Sequence, residues 1–172
     1  GVVSNEEVRE HRPSDLVLVL DRSDSMAGEP LNAAKAAAQN LISILTPADR
    51  GSLVVFSDQA HTAQSLTSDT GILMAAIQDV RSEGSTFYVD PLRHAGDQVG
   101  RSAPSREQVV IFLSDGSPYD PGGKDAILAA VDQYIGDACL YTIGYGGRSV
   151  EAVDLLSGMA DRVRQRNGCG EF

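Results

Sequence analysis

At 172 residues, 42% apolar and 22% charged, the chain is long enough to bury one full core, and disorder is not its default state. A formal charge of −10 opposes nucleic acid and anionic membrane at long range and favours cationic guests, although an acidic surface also serves solubility. The longest apolar stretch, around Leu16 to Leu20, is far short of the roughly 20 residues that span a bilayer, and nothing reads as a cleavable signal. Direct membrane insertion is therefore not expected, and the chain reads as a soluble protein or as a domain of a longer one.

Residues 1–14 read as a lead-in and 15–172 as one domain. The first predicted strand, Leu16 to Leu20, is apolar at every position, as a central strand covered on both faces must be. It stops at Asp21. An alanine-rich helix follows over Glu29 to Leu45, with Leu31, Ala34, Ala38, Leu41, Ile42 and Leu45 on one stripe, and Thr46-Pro47 ends it. Ser52 to Ser57 reads as a second strand. The alternating stretch Ala60 to Leu66 follows after so short a link that it must pair antiparallel, at the sheet's edge.

Ser68 or Asp69 caps a helix running to Val80, with Ile72, Leu73, Ala76, Ile77 and Val80 inward. A loop containing Gly84 leads to a helix over Asp90 to Val99. The strand Val109 to Leu113 then ends in Ser114-Asp115-Gly116. Lys124 to Ile135 is helical, Cys139 to Gly144 is a strand, and a last helix begins near Ser149 with Val150, Val153, Leu156 and Ala160 as its stripe. Residues 167–172 could open a sixth strand. Strands alternating with helices give an α/β fold, a doubly wound and mostly parallel sheet with one antiparallel edge strand and helices on both faces.

Two apolar strands that end in aspartate matter, because ligands of open α/β sheets gather at strand carboxyl ends where the strand order reverses. Asp21 and Asp115 become neighbours if the first and fourth strands are adjacent. Around Asp21 the run Asp21-Arg22-Ser23-Asp24-Ser25 puts three oxygen donors at alternate positions. Extended backbone would spread each pair by about 6.6 Å, whereas two ligands of one magnesium ion lie within about 4.2 Å of each other. The loop must curl. Oxygen donors without nearby His or Cys favour magnesium, manganese or calcium over zinc.

Asp21-x-Ser23-x-Ser25, the Gly84-Ser85-Thr86 loop and Phe112-Leu113-Ser114-Asp115-Gly116 together resemble the metal-ion-dependent adhesion site of the von Willebrand factor type A family, in order and over nearly the whole chain. The resemblance implies a Rossmann-like fold and a divalent cation, Mg2+ foremost with Mn2+ or Ca2+ as alternatives. It implies direct ligation by Ser23 and Ser25, water-mediated contact from Asp21 and Asp115, and ligation by Thr86 in the partner-engaged state. A protein partner would supply an acidic residue. Asp24, where bacterial relatives often carry glycine, is a departure that puts a third carboxylate at the rim, and Ser85 is a milder one.

Asp24, Phe87, Tyr88 and Tyr119 flank the site and are candidates for partner contact, with packing beneath the loops as the alternative for the aromatics. His11, His61 and His94 form no ligand spacing, and Asp90 heads a helix. Arg162, Arg164 and Arg166 form either a docking patch or a solvated face. Cys139 reads as a buried thiol, with a bridge to Cys169 as the alternative. The leading expectation is a non-enzymatic, cation-dependent binding module of unassigned compartment and oligomeric state. A docking domain of an ATPase- or chelatase-linked assembly is the second reading. A magnesium-dependent phosphohydrolase ranks below both, because Ser23 stands where a second carboxylate is wanted and the chain has only two lysines, Lys35 and Lys124.

Overall fold

A computed structural model of the chain describes residues 12–146 and 149–172. His11 and most of the lead-in lie outside the described residues. The strands are β1 (Ser14–Asp21), β2 (Arg50–Phe56), β3 (Ala60–Thr67), β4 (Glu107–Ser114), β5 (Cys139–Gly144) and β6 (Gly170–Glu171). They form one sheet in the order β3-β2-β1-β4-β5-β6, parallel throughout except for the β2–β3 pair. The helices are α1 (Glu29–Ser43), α2 (Thr70–Gln78), α3 (Val89–Val99), α4 (Gly123–Tyr134) and α5 (Val150–Asn167).

Strand alternation divides the core into two layers. Leu16, Leu18 and Leu20 of β1 face α1 and α2, packing with Leu31, Ala34, Ile42, Leu73 and Ile77. Val17 and Val19 face the opposite layer with Phe56, Leu92, Phe112, Val131 and Met159, under α3, α4 and α5. Both faces of β1 are dry, and this is why its sequence shows no alternation. The sixth strand is present as two residues paired with β5, Leu140 opposite Gly170.

Three local expectations are corrected. Ile72 is 48% exposed and Val150 81% exposed, so neither lies on an inward stripe. In α5 the buried positions are Ala152, Leu155, Leu156, Met159, Ala160 and Val163. Ser149 caps the helix by accepting from Ala152 N at 3.0 Å, which leaves Val150 at the first turn, pointing away from the sheet. Cys139 is not a free thiol. It is bonded to Cys169 with Cα atoms 5.3 Å apart, because the short β6 returns beside the start of β5.

The end of the sheet remote from the strand carboxyl ends is held by a buried ion pair. Asp15, 2% exposed, receives Arg50 at 2.5 Å and Arg106 at 2.8 Å. Burial alone would raise its pKa, but the guanidiniums of Arg50 and Arg106 outweigh it and hold the carboxyl below its ordinary value. The arginine cluster near the end of α5 is likewise paired: Arg162 and Arg166 bind Asp132, and Arg164 binds Asp161. Its reading as a solvated face is the one the structure favours.

Candidate metal centre

The site grows from the central strand pair. The β1–β4 register sets Leu20 opposite Leu113, so the next residues, Asp21 and Ser114, end their strands side by side. Ser114 Oγ donates to Asp21 Oδ2 at 2.5 Å, and Asp21 Oδ1 accepts from Ser23 N at 2.8 Å. With its proton committed to Asp21, Ser114 Oγ accepts from the Tyr88 hydroxyl at 2.5 Å and from Gly116 N at 3.2 Å. This buried chain fixes the Asp21 carboxylate from behind. Burial is the main influence raising the Asp21 pKa, the nearby charge of Asp115 adds to it, and the hydrogen bonds from Ser114 and Ser23 oppose it.

After Asp21 the backbone curls as the spacing requires. A 3-10 turn over Asp24–Met26 is closed by Met26 N donating to Ser23 O at 2.9 Å and Ala27 N to Asp24 O at 3.1 Å. The turn brings Ser23 Oγ and Ser25 Oγ to 3.1 Å, inside the roughly 4.2 Å limit for two ligands of one magnesium ion. Ser23 is 1% exposed, whereas Ser25 and Asp24 face solvent.

Two further loops are tied to this turn through the main chain. Asp24 N donates to Gly84 O at 2.8 Å and Glu83 N to Arg22 O at 2.7 Å, fastening the Thr86 loop. Gly84 has φ +78°, and a Cβ there would stand 2.7 Å from Asp58 Oδ2, so the position is closed to larger residues. Asp58 in turn accepts from Ser85 N at 2.9 Å. Tyr119 N donates to Thr86 O at 2.8 Å, which joins the loop after β4 to the same cluster. Thr86 is 3% exposed.

Asp115 Oδ1 is buried and, among the described residues, has no hydrogen-bond partner. Such an oxygen is costly unless something fills its coordination. The oxygen-bearing side chains that these loops contribute, the carboxylates of Asp21 and Asp115 and the hydroxyls of Ser23, Ser25 and Thr86, are all hard donors, of the kind that suits a divalent cation of the magnesium or calcium type. Among the described residues there is no cluster of three or more His, Cys, Asp or Glu side chains of metal-binding arrangement. The hydroxyls would therefore have to carry much of any coordination.

The aromatics separate. Tyr119 is 71% exposed and Phe87 is half-buried. Tyr88 is fully buried, stacked edge-on against Phe56 and Phe112 at centroid distances of 5.8 and 4.7 Å. It is thus corrected from partner contact to the packing alternative, since its ring completes the core while its hydroxyl reaches Ser114. Sequence reasoning also missed Asp120, whose carboxylate accepts from Tyr88 N at 2.7 Å and Val89 N at 2.9 Å and so caps α3 from a distant loop. Asp90 takes a structural role, accepting from Ala60 N at 2.8 Å, and His94 Nδ1 lies 3.0 Å from Asp90 O.

A doubly wound sheet with one antiparallel edge and an oxygen-rich loop cluster at the β1–β4 carboxyl ends defines a class of α/β domain. Residues 16–117 match the model of the von Willebrand factor type A domain, and the chain belongs to that family. It is 29% identical over 140 residues to an uncharacterized protein of Synechocystis, covering 78% of this chain and 32% of that protein. It is 23% identical to the human voltage-dependent calcium channel subunit alpha-2/delta-2, covering 71% of this chain and 11% of the subunit. The chain thus spans only a minor part of these relatives.

Among solved structures, the PilB minor pilin of Streptococcus sanguinis (a D319A mutant) aligns with TM-score 0.76 at 14% identity, covering 96% of this chain and 57% of that one. An aerotolerance-related membrane protein of Bacteroides fragilis aligns with TM-score 0.71 at 16% identity, covering 92% and 89%. The manganese-loaded TRAP protein of Plasmodium vivax aligns with TM-score 0.66 at 20% identity, covering 86% and 63%. At these identities the likeness is one of fold. Domains of this family generally mediate protein interaction.

Proposed function

We propose that the domain is a divalent-cation-dependent protein-binding module whose ion is held by Ser23, Ser25, Thr86, Asp21 and Asp115 and completed by an acidic residue of a protein partner. The observation that carries the reading is the buried, unpartnered Oδ1 of Asp115, a residue near enough to act on the charge of Asp21, together with a turn after Asp21 that gathers the Ser23 and Ser25 hydroxyls. Mg2+ is the first choice, with Mn2+ and Ca2+ as alternatives. When bound, the ion would supply Lewis acidity toward an incoming carboxylate, since two aspartates balance one dication and the hydroxyls add no charge.

The chain's own residues prepare that role. Ser114 and Ser23 N engage both Asp21 oxygens, an arrangement suited to holding an ion and poorly suited to nucleophilic attack, which favours binding over phosphohydrolysis. Asp24, Phe87 and Tyr119 form the rim that meets the partner. The Cys139–Cys169 bridge fits an oxidising compartment, where calcium competes with magnesium.

Calorimetric titration of the folded domain with MgCl2, MnCl2 and CaCl2 tests the proposal. One-site binding is expected for at least one ion, abolished in Asp21→Ala and Asp115→Ala. Absence of binding for all three ions, or partner capture that survives Asp21→Ala, would sink it.

A further inference from the structure

A second concave feature lies beside the loop cluster. Between the end of α2 and edge strand β3 is a cleft of about 620 Å³ with Val55 and Ala76 among its walls and Arg22, His61, Thr62 and Arg81 around it. Arg22 sits between Asp21 and Ser23 in sequence, so the turn that carries the candidate ion ligands also carries a wall of the cleft. One guanidinium nitrogen of Arg22 donates to Glu83 at 2.7 Å and the other to Arg81 O at 3.4 Å. The third nitrogen, Nε, is buried and has no partner among the described residues.

The charge balance of this place differs from that of the molecule. Arg22, Arg81 and Lys35 gather here against Glu83 and Asp79, whereas the whole chain carries −10. Lys35 and Arg81 are partly committed, since both donate to Gln78 O and Val80 O at the end of α2. Arg22 is less so. Its side chain is 17% exposed, and its one carboxylate partner, Glu83, is 67% exposed and therefore weakly held. The ring of His61 is held below its ordinary pKa by burial first and then by the positive charges of Arg22 and His94, in keeping with a positive local potential.

We propose that this cleft is an anion subsite that takes a carboxylate of an acidic peptide segment, with Arg22 Nε–H as the specific donor and Arg81 as the supporting charge. An arginine fork whose Nε–H is idle is suited to a carboxylate. The incoming acid takes the side-on edge of the guanidinium, accepting from Nε and from the terminal nitrogen that now holds Glu83, and so displaces Glu83 toward solvent and uncovers Nε. The proposal deepens the reading given above, on which it rests for the partner's identity: the partner would carry a second acidic residue close to the one that meets the ion. The anion binding itself does not need the ion.

The probe is fluorescein-labelled hexaglutamate, titrated into the intact domain at about 0.15 M salt, where the Debye length of about 8 Å screens the chain's net charge. The titration is run in EDTA and again with MgCl2. In EDTA, Arg22→Gln is expected to weaken binding about tenfold and Arg81→Gln less, while Glu83→Gln tightens it a few-fold by removing the competing carboxylate. The Arg22 Nε–H resonance should move on addition of hexaglutamate.

Equal binding by wild type and Arg22→Gln in EDTA overturns the proposal. Should Arg22→Gln fail to fold by circular dichroism, an unmoved Nε–H resonance or an unchanged Glu83→Gln affinity overturns it instead. The two readings fail separately. Binding in EDTA that depends on Arg22 and gains nothing from MgCl2 supports the cleft and counts against the ion-dependent site; binding that needs MgCl2 and ignores Arg22 does the reverse.

Discussion

Ser114 holds more of the site together than its single hydroxyl suggests. It donates to Asp21, accepts from Tyr88 and accepts from Gly116 N, all within a fully buried pocket. Removing it strands a phenol and one carboxylate oxygen, and each buried polar group left without a partner costs about 1–3 kcal/mol. Tyr88→Phe removes only a donor whose acceptor keeps Gly116 N. Ser114→Ala is therefore expected to destabilise the domain by about 2–4 kcal/mol and Tyr88→Phe by about 1 kcal/mol, read from urea denaturation. The reverse order would mean the hydroxyl chain does not run as described. Asp21, Ser23 and Ser25 were legible because they are contiguous and the turn between them is local. Ser114 was read as a strand end and as part of the motif around Asp115, with no hydrogen-bond role assigned to it. Its partner Tyr88 lies 26 positions away, and Asp120 lies 32 positions from the helix it caps, and no local pattern encodes such distances.

At the scale of elements, apolar patterning predicted β1 to β5 and the five α-helices within a few residues and left β6 open, but faces were less secure than existence. β1 and β4 were plain because both of their faces are dry. In α5 the first apolar residue, Val150, invites a stripe that the cap at Ser149 rotates out of the core. Met159→Ala is expected to cost about 2–5 kcal/mol as a core truncation, whereas Val150→Ala should stay within about 0.5 kcal/mol. Denaturation midpoints of the two variants check this directly, and similar losses would restore Val150 to the buried stripe. The edge strand β3 shows how side chains finish what pairing leaves open: Asp90 accepts from Ala60 N and Gln98 from Leu66 N, so two of its donors are already occupied.

Over the whole molecule, the two ends of the sheet carry different duties. Strand carboxyl ends bear the loops, and the opposite end is fastened by Asp15 with Arg50 and Arg106 and by the disulfide. Cys139 pairs with Val109 in the β4–β5 register, at the far end of the strands from Ser114 and Gly144. Reduction, or Cys139→Ser with Cys169→Ser, is expected to remove about 2–4 kcal/mol of stability while changing cation affinity by less than about twofold. Thermal denaturation and calorimetry on the same samples check the separation, and a joint loss would show that the two ends are coupled. The bond was the reading the sequence ranked second, since two cysteines 30 positions apart carry no framework pattern and their meeting depends on where α5 delivers the chain.

That covalent loop also decides how the domain bears tension. A pull on the backbone just beyond Cys169 passes through sulfur to Cys139, the first residue of β5, leaving α5 and the rest of β5 inside a bight that is off the covalent path of the load. The two-residue β6 lies outside the bridge and still yields first, but the load then stops at Cys139, which is paired with Val109 of β4, and no helix is peeled after it. Under oxidising conditions the residues after Cys169 are anchored mechanically at the first residue of an inner strand.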